Sequence, residues 1–141
     1  MRIARYTTGE DPAYGIVTGE VGEEVLLPLK GDPLYVGLVP SGEAPVPLDD
    51  ARLLAPVIPR SKVVGIGRNY AEHARELGHE VPAEPMMFLV PNTAVCGPGD
   101  PVVLPRGAQE IHYEGELAVV IGKICKDVRA EVALECVWGY T

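Results

Sequence analysis

Short apolar runs separated by glycine and proline dominate the pattern of hydrophobic and polar positions along the chain. The runs are rich in Val, Ile, Leu and Tyr, and the breaks between them draw on 16 Gly and 14 Pro residues. Short runs of this composition, bounded by turn residues, are typical of β-strands rather than helices. The pattern predicts strands at RIARYT, YGIVTGE, EEVLLPL, RLLAPV, KVVGIG, PMMFLVP, PVVLP and GELAVVIGKIC.

One stretch, VPSGEAPVPLDD at residues 39–50, interrupts the succession of strands. It combines turn-forming Pro and Gly with acidic residues, so we predict a linker there. We therefore divide the chain into a small β-rich amino-terminal domain, residues 1–56, and a second domain over residues 57–141. The predicted fold class is mainly β (α+β).

Another stretch, GRNYAEHARELGH, carries the sequence signals of a helix. Asn69 is a suitable N-cap, Glu72 follows at the capping-box position, and Gly78 can adopt the left-handed conformation that ends a helix. These signals predict a short helix over residues 70–77.

His73 and Glu76 fall on one face of this predicted helix, within reach of each other. They can form an acid–base pair in which the carboxylate orients the imidazole to take a proton. The alternative is that both are solvated residues on a surface helix. Spacing alone leaves both interpretations open.

Two glutamates stand at the head of the apolar run in IHYEGELAVVIGK. The two-residue period of a strand places Glu114 and Glu116 on the same face. Beyond its first residues the run is apolar on both faces, which predicts a strand inside a covered sheet. Two carboxylates projecting from such a strand would repel each other and lose hydration, and a hard divalent cation would neutralise them. The alternative is that both lie at the exposed start of the strand and face water.

Charge and composition exclude several classes of partner. The chain has 12 basic and 20 acidic residues, a net charge of -8, so neither nucleic acid nor an anionic membrane is an expected partner. We find neither a signal peptide nor a run long enough to cross a bilayer, and we expect a cytoplasmic protein. Cys96, Cys125 and Cys136 are widely spaced, so we predict ordinary buried or half-buried thiols rather than a disulfide framework or a zinc site.

Three segments together identify a family. KVVGIGRNYAEHARELG, PMMFLVPNTAVCGPGDPVVLP and HYEGELAVVIGK, in this order, resemble the fumarylacetoacetate hydrolase family, and VWGYT resembles the segment before its next strand. The amino-terminal part is similar to the small domain of many bacterial members. The resemblance implies a mixed β-sandwich roll, of which residues 57–141 supply the first, incomplete part of the catalytic domain. It also implies a homodimer or other oligomer.

The resemblance assigns roles to the residues singled out above. Glu114 and Glu116 would be metal ligands for Mg²⁺ or Mn²⁺, with Ca²⁺ as a third candidate, and His73 with Glu76 would be the dyad that activates water or moves a proton. Arg68, just ahead of the helix, is a weaker candidate for binding a substrate carboxylate. The alternative for Arg68 is an ion pair with a surface acid.

The implied activity is that of a metal-dependent hydrolase or isomerase in aromatic catabolism. Its substrates would be 2-oxo or enol acids such as acylpyruvates, oxaloacetate-like acids or 2-hydroxyhepta-2,4-diene-1,7-dioate. A cation chelated by the substrate would stabilise the developing carbanion while the dyad transfers a proton. Two alternatives remain open: a non-catalytic subunit or fragment that completes its sheet with further chain or a partner, and a small-acid binding module.

The chain departs from the family pattern in two places. The third metal-binding carboxylate of the family is an aspartate that follows the position of Thr141, and among the substitutes Asp100, Glu110 and Asp127 the spacing favours none. Many members also have a substrate-binding lysine where this chain has Val90. We therefore expect weak metal binding by the two glutamates alone.

Overall fold

The structure, a computed structural model, describes all 141 residues, and its regular secondary structure is mainly β-strand. Nine strands form three antiparallel sheets, and two short α-helices lie in connections between strands. The chain divides into two compact units, one made of Met1–Val57 with Gly97–Thr141 and the other of Ile58–Cys96. The predicted mainly β (α+β) fold class is confirmed. The domain boundary between residues 56 and 57 stays a prediction.

A five-stranded sheet occupies the amino-terminal part of the first unit, and it confirms the strands predicted there. Its buried core consists of Tyr6, Tyr14, Leu26 and Leu29. The strand order is β4-β3-β2-β1-β5. The strands are β1 (Arg2–Thr7), β2 (Ala13–Thr18), β3 (Val25–Leu29), β4 (Val46–Pro47) and β5 (Arg52–Leu53).

The predicted linker at residues 39–50 is wrong, because Pro40 as well as Val46–Pro47 pairs with β3. Val46–Pro47 pairs with β3, and a 3-10 turn, Leu48–Asp50, follows it. The Leu48 N–H donates to the Glu24 carbonyl at 2.9 Å, which continues the pairing. Proline is compatible with β4 because this strand lies at the edge of the sheet, where one side needs no ladder hydrogen bonds.

Helix α1 (Pro33–Val36) follows β3 and is fixed by its N-cap. The Asp32 carboxylate accepts a hydrogen bond from the Leu34 N–H at 3.0 Å and another from the Tyr14 hydroxyl at 3.2 Å. Proline at the first helical position has the φ that a helix needs and lacks only an N–H that would be unpaired there. The cap therefore connects α1 to the core of the five-stranded sheet.

The second unit contains a two-stranded sheet and a helix. The Asn92 side-chain amide donates to the Pro59 carbonyl at 3.1 Å, which ties the segment after the sheet to the segment before it. The predicted strands at KVVGIG and PMMFLVP are confirmed. The elements are β6 (Val63–Gly67), α2 (Ala71–Glu76), β7 (Met86–Val90) and a 3-10 turn, Asn92–Ala94.

The two ends of α2 differ in how well the sequence predicts them. Tyr70 is the N-cap and makes no side-chain cap hydrogen bond, so the capping box predicted from Asn69 and Glu72 is wrong. At the other end Gly78 has a φ of 72°, as predicted. The N–H groups of residues 78 and 79 donate to the carbonyls of residues 75 and 74 at 3.0 and 2.8 Å. This is the Schellman arrangement, and it satisfies the last carbonyls of the helix.

The carboxyl-terminal part of the first unit has less strand than the sequence predicts. Only β8 (Val119–Ile121) and β9 (Val137–Tyr140) pair, and a 3-10 segment, Ala130–Cys136, lies between them. PVVLP forms no strand, and GELAVVIGKIC is a strand over three residues only. The ladder ends where Ala118 and Thr141 exchange hydrogen bonds of 2.7 and 3.0 Å. No strand is formed over residues 101–118.

A tight turn accounts for the motif GPGD. The Asp100 N–H donates to the Gly97 carbonyl at 3.1 Å, and Gly99 has the positive φ, 76°, that a type II turn requires after Pro98. The Asp100 carboxylate accepts from the Gly97 N–H at 2.8 Å and pairs with Arg52 at 3.0 Å. These four residues have a structural role within the first unit.

We expect Gly97→Ala to destabilise this unit. A Cβ at Gly97 would lie 2.8 Å from the Ala55 nitrogen and 3.0 Å from Leu54, and neither backbone position can yield without disturbing β5. The free energy of unfolding should fall by about 1–3 kcal/mol. Gly115→Ala is the matched control, since nothing lies within 4 Å of its Cβ. Urea denaturation followed by the fluorescence of the single tryptophan, Trp138, measures both; equal stability of the two variants would contradict the close packing.

Candidate active site

Helix α2 brings together the predicted dyad. Nδ1 of His73 lies 3.6 Å from Oε2 of Glu76, one helical turn apart, with side chains 45 % and 75 % exposed. The distance is longer than a hydrogen bond, but such contacts commonly shorten only when substrate binds. An ion pair this exposed contributes little to stability. The predicted proximity is therefore present, while its catalytic role stays a prediction.

Arg68 occupies the turn that joins β6 to α2. Its φ is 54°, in the left-handed region that disfavours residues with a Cβ. Such a conformation costs about 1–2 kcal/mol outside glycine. Backbone strain of this kind is concentrated at functional sites. Arg68 is therefore an exposed arginine in a strained conformation immediately before the dyad helix, and its substrate-binding role stays a prediction.

Two substitutions separate the contribution of the Arg68 backbone conformation to stability from the contribution of its side chain. Arg68→Gly should raise the free energy of unfolding by about 1 kcal/mol relative to Arg68→Ala, because glycine removes the strain and both lose the guanidinium. Urea denaturation of the two variants gives this difference. Equal stabilities would mean that residue 68 is not held at positive φ.

Glu114 and Glu116 lie in the irregular segment before Ala118, and the predicted covered strand around them is wrong. Both residues are exposed, as are their neighbours Tyr113 and Leu117, 99 % and 63 % respectively. The absence of a ladder before Ala118 leaves this segment without cover. The carboxylates can keep their hydration, so burial alone does not demand a cation.

Carboxylate oxygens are suitable ligands for Mg²⁺ or Mn²⁺, but the described residues do not complete a metal site. No group of three or more His, Cys, Asp or Glu side chains is placed to hold an ion. Asp100 is engaged by Arg52 and the Gly97 N–H, and Asp127 has a left-handed φ of 52° in a loop. The donor chemistry of Glu114 and Glu116 fits a hard cation, and their number falls short of a full ligand set.

The structure contains a second histidine–carboxylate pair, which was not among the predicted site residues. Nε2 of His112 lies 3.0 Å from Oε1 of Glu110, and both side chains are largely exposed. The signal was available, because residues two apart in an extended chain project to the same side. Residues 110, 112, 114 and 116 are each two apart. If this segment formed a strand, Glu114 and Glu116 would therefore project to the same side as Glu110 and His112.

The predicted site residues are distributed over the two units. Arg68, His73 and Glu76 belong to the unit Ile58–Cys96, and Val90 ends β7 in that unit, paired with Val63. Glu114 and Glu116 belong to the unit that includes Gly97–Thr141.

Comparison with known proteins gives the relationship of the chain. Residues 62–141 match the family model "Fumarylacetoacetate (FAA) hydrolase C-terminal", and residues 1–56 match the model "Rv2993c-like, N-terminal". The chain is 43 % identical to Protein Rv2993c of Mycobacterium tuberculosis over 100 % of its own length and 53 % of that protein. It is 46 % identical to the bovine mitochondrial oxaloacetate tautomerase FAHD1 over 55 % of its length and 35 % of that protein.

A solved structure has the same fold over the matched part. The crystal structure of 5-carboxymethyl-2-hydroxymuconate delta-isomerase from Mycobacterium smegmatis superposes with a TM-score of 0.84 at 39 % identity, over 99 % of this chain and 52 % of that one. The chain thus spans about half the length of the M. tuberculosis relative and of this solved structure.

No helix reaches the length and apolar character needed to cross a membrane. By these matches the chain belongs to the fumarylacetoacetate hydrolase family.

Proposed function

We propose that residues 62–141 contribute catalytic and metal-binding groups to an enzyme that acts on 2-oxo or enol acids. The observation that carries this proposal is the His73–Glu76 pair, 3.6 Å apart on α2 within the segment that matches the family. Two relatives, a tautomerase and a delta-isomerase, have names that describe proton-transfer reactions. Proton transfer next to a carbonyl is therefore the reaction type proposed for this chain, with C–C hydrolysis and decarboxylation as further outcomes of the same enolate chemistry.

The dyad supplies the proton transfer. Glu76 lies next to Nδ1 of His73, so this carboxylate would orient the imidazole when substrate binding shortens the contact. Nε2 would take a proton from the substrate carbon or from water and return it. Arg68, at the start of the same segment, would bind a carboxylate of the acid.

The ladder between β8 and β9 supports a way in which the metal site would be completed. Partners in an antiparallel pair run in opposite directions, so each step back from Ala118 matches one step beyond Thr141. In a chain that continues in this register, Glu116 faces the second position beyond Thr141 and Glu114 faces the fourth. Residues that face each other across a ladder project to the same side. A carboxylate at either position would join the two glutamates as a third ligand.

The cation proposed for this ligand set is Mg²⁺ or Mn²⁺, with Ca²⁺ as the third candidate. When bound, it would stabilise negative charge on the enolate oxygen of the substrate. Extending the strand would also order Glu114 and Glu116 on one face, next to Glu110 and His112 of the same parity.

A turnover assay tests the proposed function. We would join residues 1–141 to the second half of the M. tuberculosis relative and supply Mn²⁺ with oxaloacetate, an acylpyruvate or 2-hydroxyhepta-2,4-diene-1,7-dioate. We expect turnover of at least one of these acids. If the folded, metal-loaded chain binds the acids but does not turn them over, the enzyme proposal is wrong and the protein is a small-acid binding module.

A non-catalytic subunit or fragment is the second candidate, and exposed apolar side chains favour it. On β7, Met87 and Leu89 are 73 % and 72 % exposed, and Val102 and Val103 are 76 % and 86 % exposed. Surfaces of this kind are usually covered by further chain or by a partner. We also propose that the protein associates with itself. Light scattering of residues 1–141 distinguishes oligomers from a monomer.

A further inference from the structure

The ladder between β8 and β9 is irregular at Trp138. Val120 pairs with Gly139, whereas the next residue of β8, Ile121, pairs with Val137. Trp138 is therefore an extra residue on β9, the arrangement called a β-bulge. A bulge changes the direction in which a side chain projects, and it pins the register of the two strands that form it.

Gly122 allows the bulged residue to lie close to the end of β8. A Cβ at residue 122 would lie 2.6 Å from the Cβ of Trp138 and 3.2 Å from Cγ and Cδ1 of the same side chain. Carbon atoms in favourable contact are about 3.5–4.0 Å apart. A side chain at residue 122 would therefore displace the tryptophan.

The Trp138 side chain also lines a narrow cleft together with the amino-terminal part of the same compact unit. The cleft has about 10 Å³ open to water, which is about enough for one water molecule. A larger ligand does not fit between its walls. The other lining residues come from β2, from α1 with its N-cap and from the segment after β5: Tyr14, Asp32, Pro33, Leu34, Pro56 and Val57.

Hydrogen bonds hold the amino-terminal wall of this cleft in place. The Tyr14 hydroxyl and the Leu34 N–H both donate to the Asp32 carboxylate, at 3.2 and 3.0 Å. Tyr14 belongs to the buried core of the five-stranded sheet, and Pro33 is buried beside it in α1. Because this wall is fixed by the sheet, it limits the positions that the indole of Trp138 can take.

We propose that Trp138 is a positioning residue that pins the register of β8 and β9 against the amino-terminal sheet. It would thereby determine which residues beyond Thr141 face Glu114 and Glu116, and this metal-binding part of the inference rests on the proposed function. Side chains alternate between the two faces of a strand. A slip of one residue would therefore bring a side chain of the opposite face to each glutamate.

Nuclear magnetic resonance of the chain tests the register. Ala118 and Thr141 exchange two hydrogen bonds, so the next pair, Val119 and Tyr140, is of the close kind, with Cα atoms about 4.5 Å apart. A nuclear Overhauser cross-peak between the α protons of this pair is expected in the unsubstituted chain. In Trp138→Ala the cross-peak should disappear, and the Ala118 N–H should exchange with solvent at least about tenfold faster.

Two glycine variants and a distant amide separate positioning from general destabilisation. Gly122→Ala displaces the indole without removing it and should also abolish the cross-peak, whereas Gly139→Ala should keep it, since nothing lies within 4 Å of the added Cβ. The Leu54 N–H, which donates to the Arg5 carbonyl at 2.8 Å beside β5, should exchange at an unchanged rate in every variant. A cross-peak retained in Trp138→Ala and Gly122→Ala, or equally faster exchange at Leu54, would overturn the proposal.

Calorimetry tests the metal-binding part in residues 1–141 joined to the second half of the M. tuberculosis relative. Trp138→Ala should weaken Mn²⁺ binding about 10–100-fold, the cost typical of losing a group that orients a ligand. Trp138→Phe, which keeps an aromatic ring in the cleft, should lose less. Unchanged affinity in Trp138→Ala, where Glu116→Gln lowers it, would overturn the link between register and metal site. If Glu116→Gln is also without effect, the proposed metal site itself is wrong, and the cross-peak still decides whether Trp138 sets the register.

Discussion

Replacing His73 by alanine is expected to reduce kcat by about 10²–10⁴-fold in the chain extended with the second half of its M. tuberculosis relative, because general acid–base groups contribute factors of this size. The loss corresponds to about 3–5 kcal/mol of activation free energy. The substrate is the acid found to turn over with Mn²⁺. KM should change much less, since the imidazole acts on the proton being transferred.

The control for this variant is another exposed histidine. His79 follows α2 and its N–H takes part in the helix C-cap, while its ring has no assigned role. His79→Ala should keep kcat within about threefold. Glu76→Gln should give an intermediate loss, because glutamine keeps the position of the side chain but not its charge. Equal values of kcat for His73→Ala and the unsubstituted chain would show that the dyad has no catalytic role.

The second large effect concerns metal affinity. In the same extended chain, Glu114→Gln and Glu116→Gln should each weaken Mn²⁺ binding at least about 100-fold, since loss of a directly bound carboxylate should exceed the 10–100-fold cost of losing an outer partner. Residues 1–141 alone should bind Mn²⁺ weakly, because a hard cation held by two carboxylates depends on water for its remaining ligands. Isothermal titration calorimetry measures each affinity.

Glu110→Gln is the matched control. Glu110 is also exposed, lies on the same parity of the segment and pairs with His112 at 3.0 Å. Its replacement should leave Mn²⁺ affinity within about threefold, since the third ligand proposed here lies beyond Thr141 and not at Glu110. An equal loss for Glu110→Gln would indicate a diffuse acidic patch. Tight Mn²⁺ binding by residues 1–141 alone would contradict the need for a further ligand.

How much the sequence predicts depends on whether the interactions are local. Four strands of the five-stranded sheet, β1, β2, β3 and β5, follow from short apolar runs. The end of α2 at Gly78 follows from one glycine in a left-handed conformation. The proximity of His73 and Glu76 follows from helical spacing alone. These features need no knowledge of distant residues.

The errors arise where a distant partner decides the outcome. GELAVVIGKIC has strand composition throughout, but only three residues form β8 because pairing with β9 ends at Ala118. Residues 39–50 look like a linker, yet Val46 and Pro47 pair with β3. The apolar run that follows Glu114 and Glu116 predicts that both are buried. Burial, however, depends on other parts of the chain packing over them, and the run itself does not specify those parts.

We propose that Glu114 and Glu116 become metal ligands when the β8–β9 ladder extends past Ala118 and Thr141. Anomalous diffraction from crystals of the extended chain soaked in Mn²⁺ tests this proposal. We expect a manganese peak about 2.1–2.2 Å from a carboxylate oxygen of each glutamate, between the distances typical of Mg²⁺ and of Ca²⁺ with oxygen ligands. Glutamates that point into solvent with no such peak between them, in crystals where manganese has entered, would contradict it.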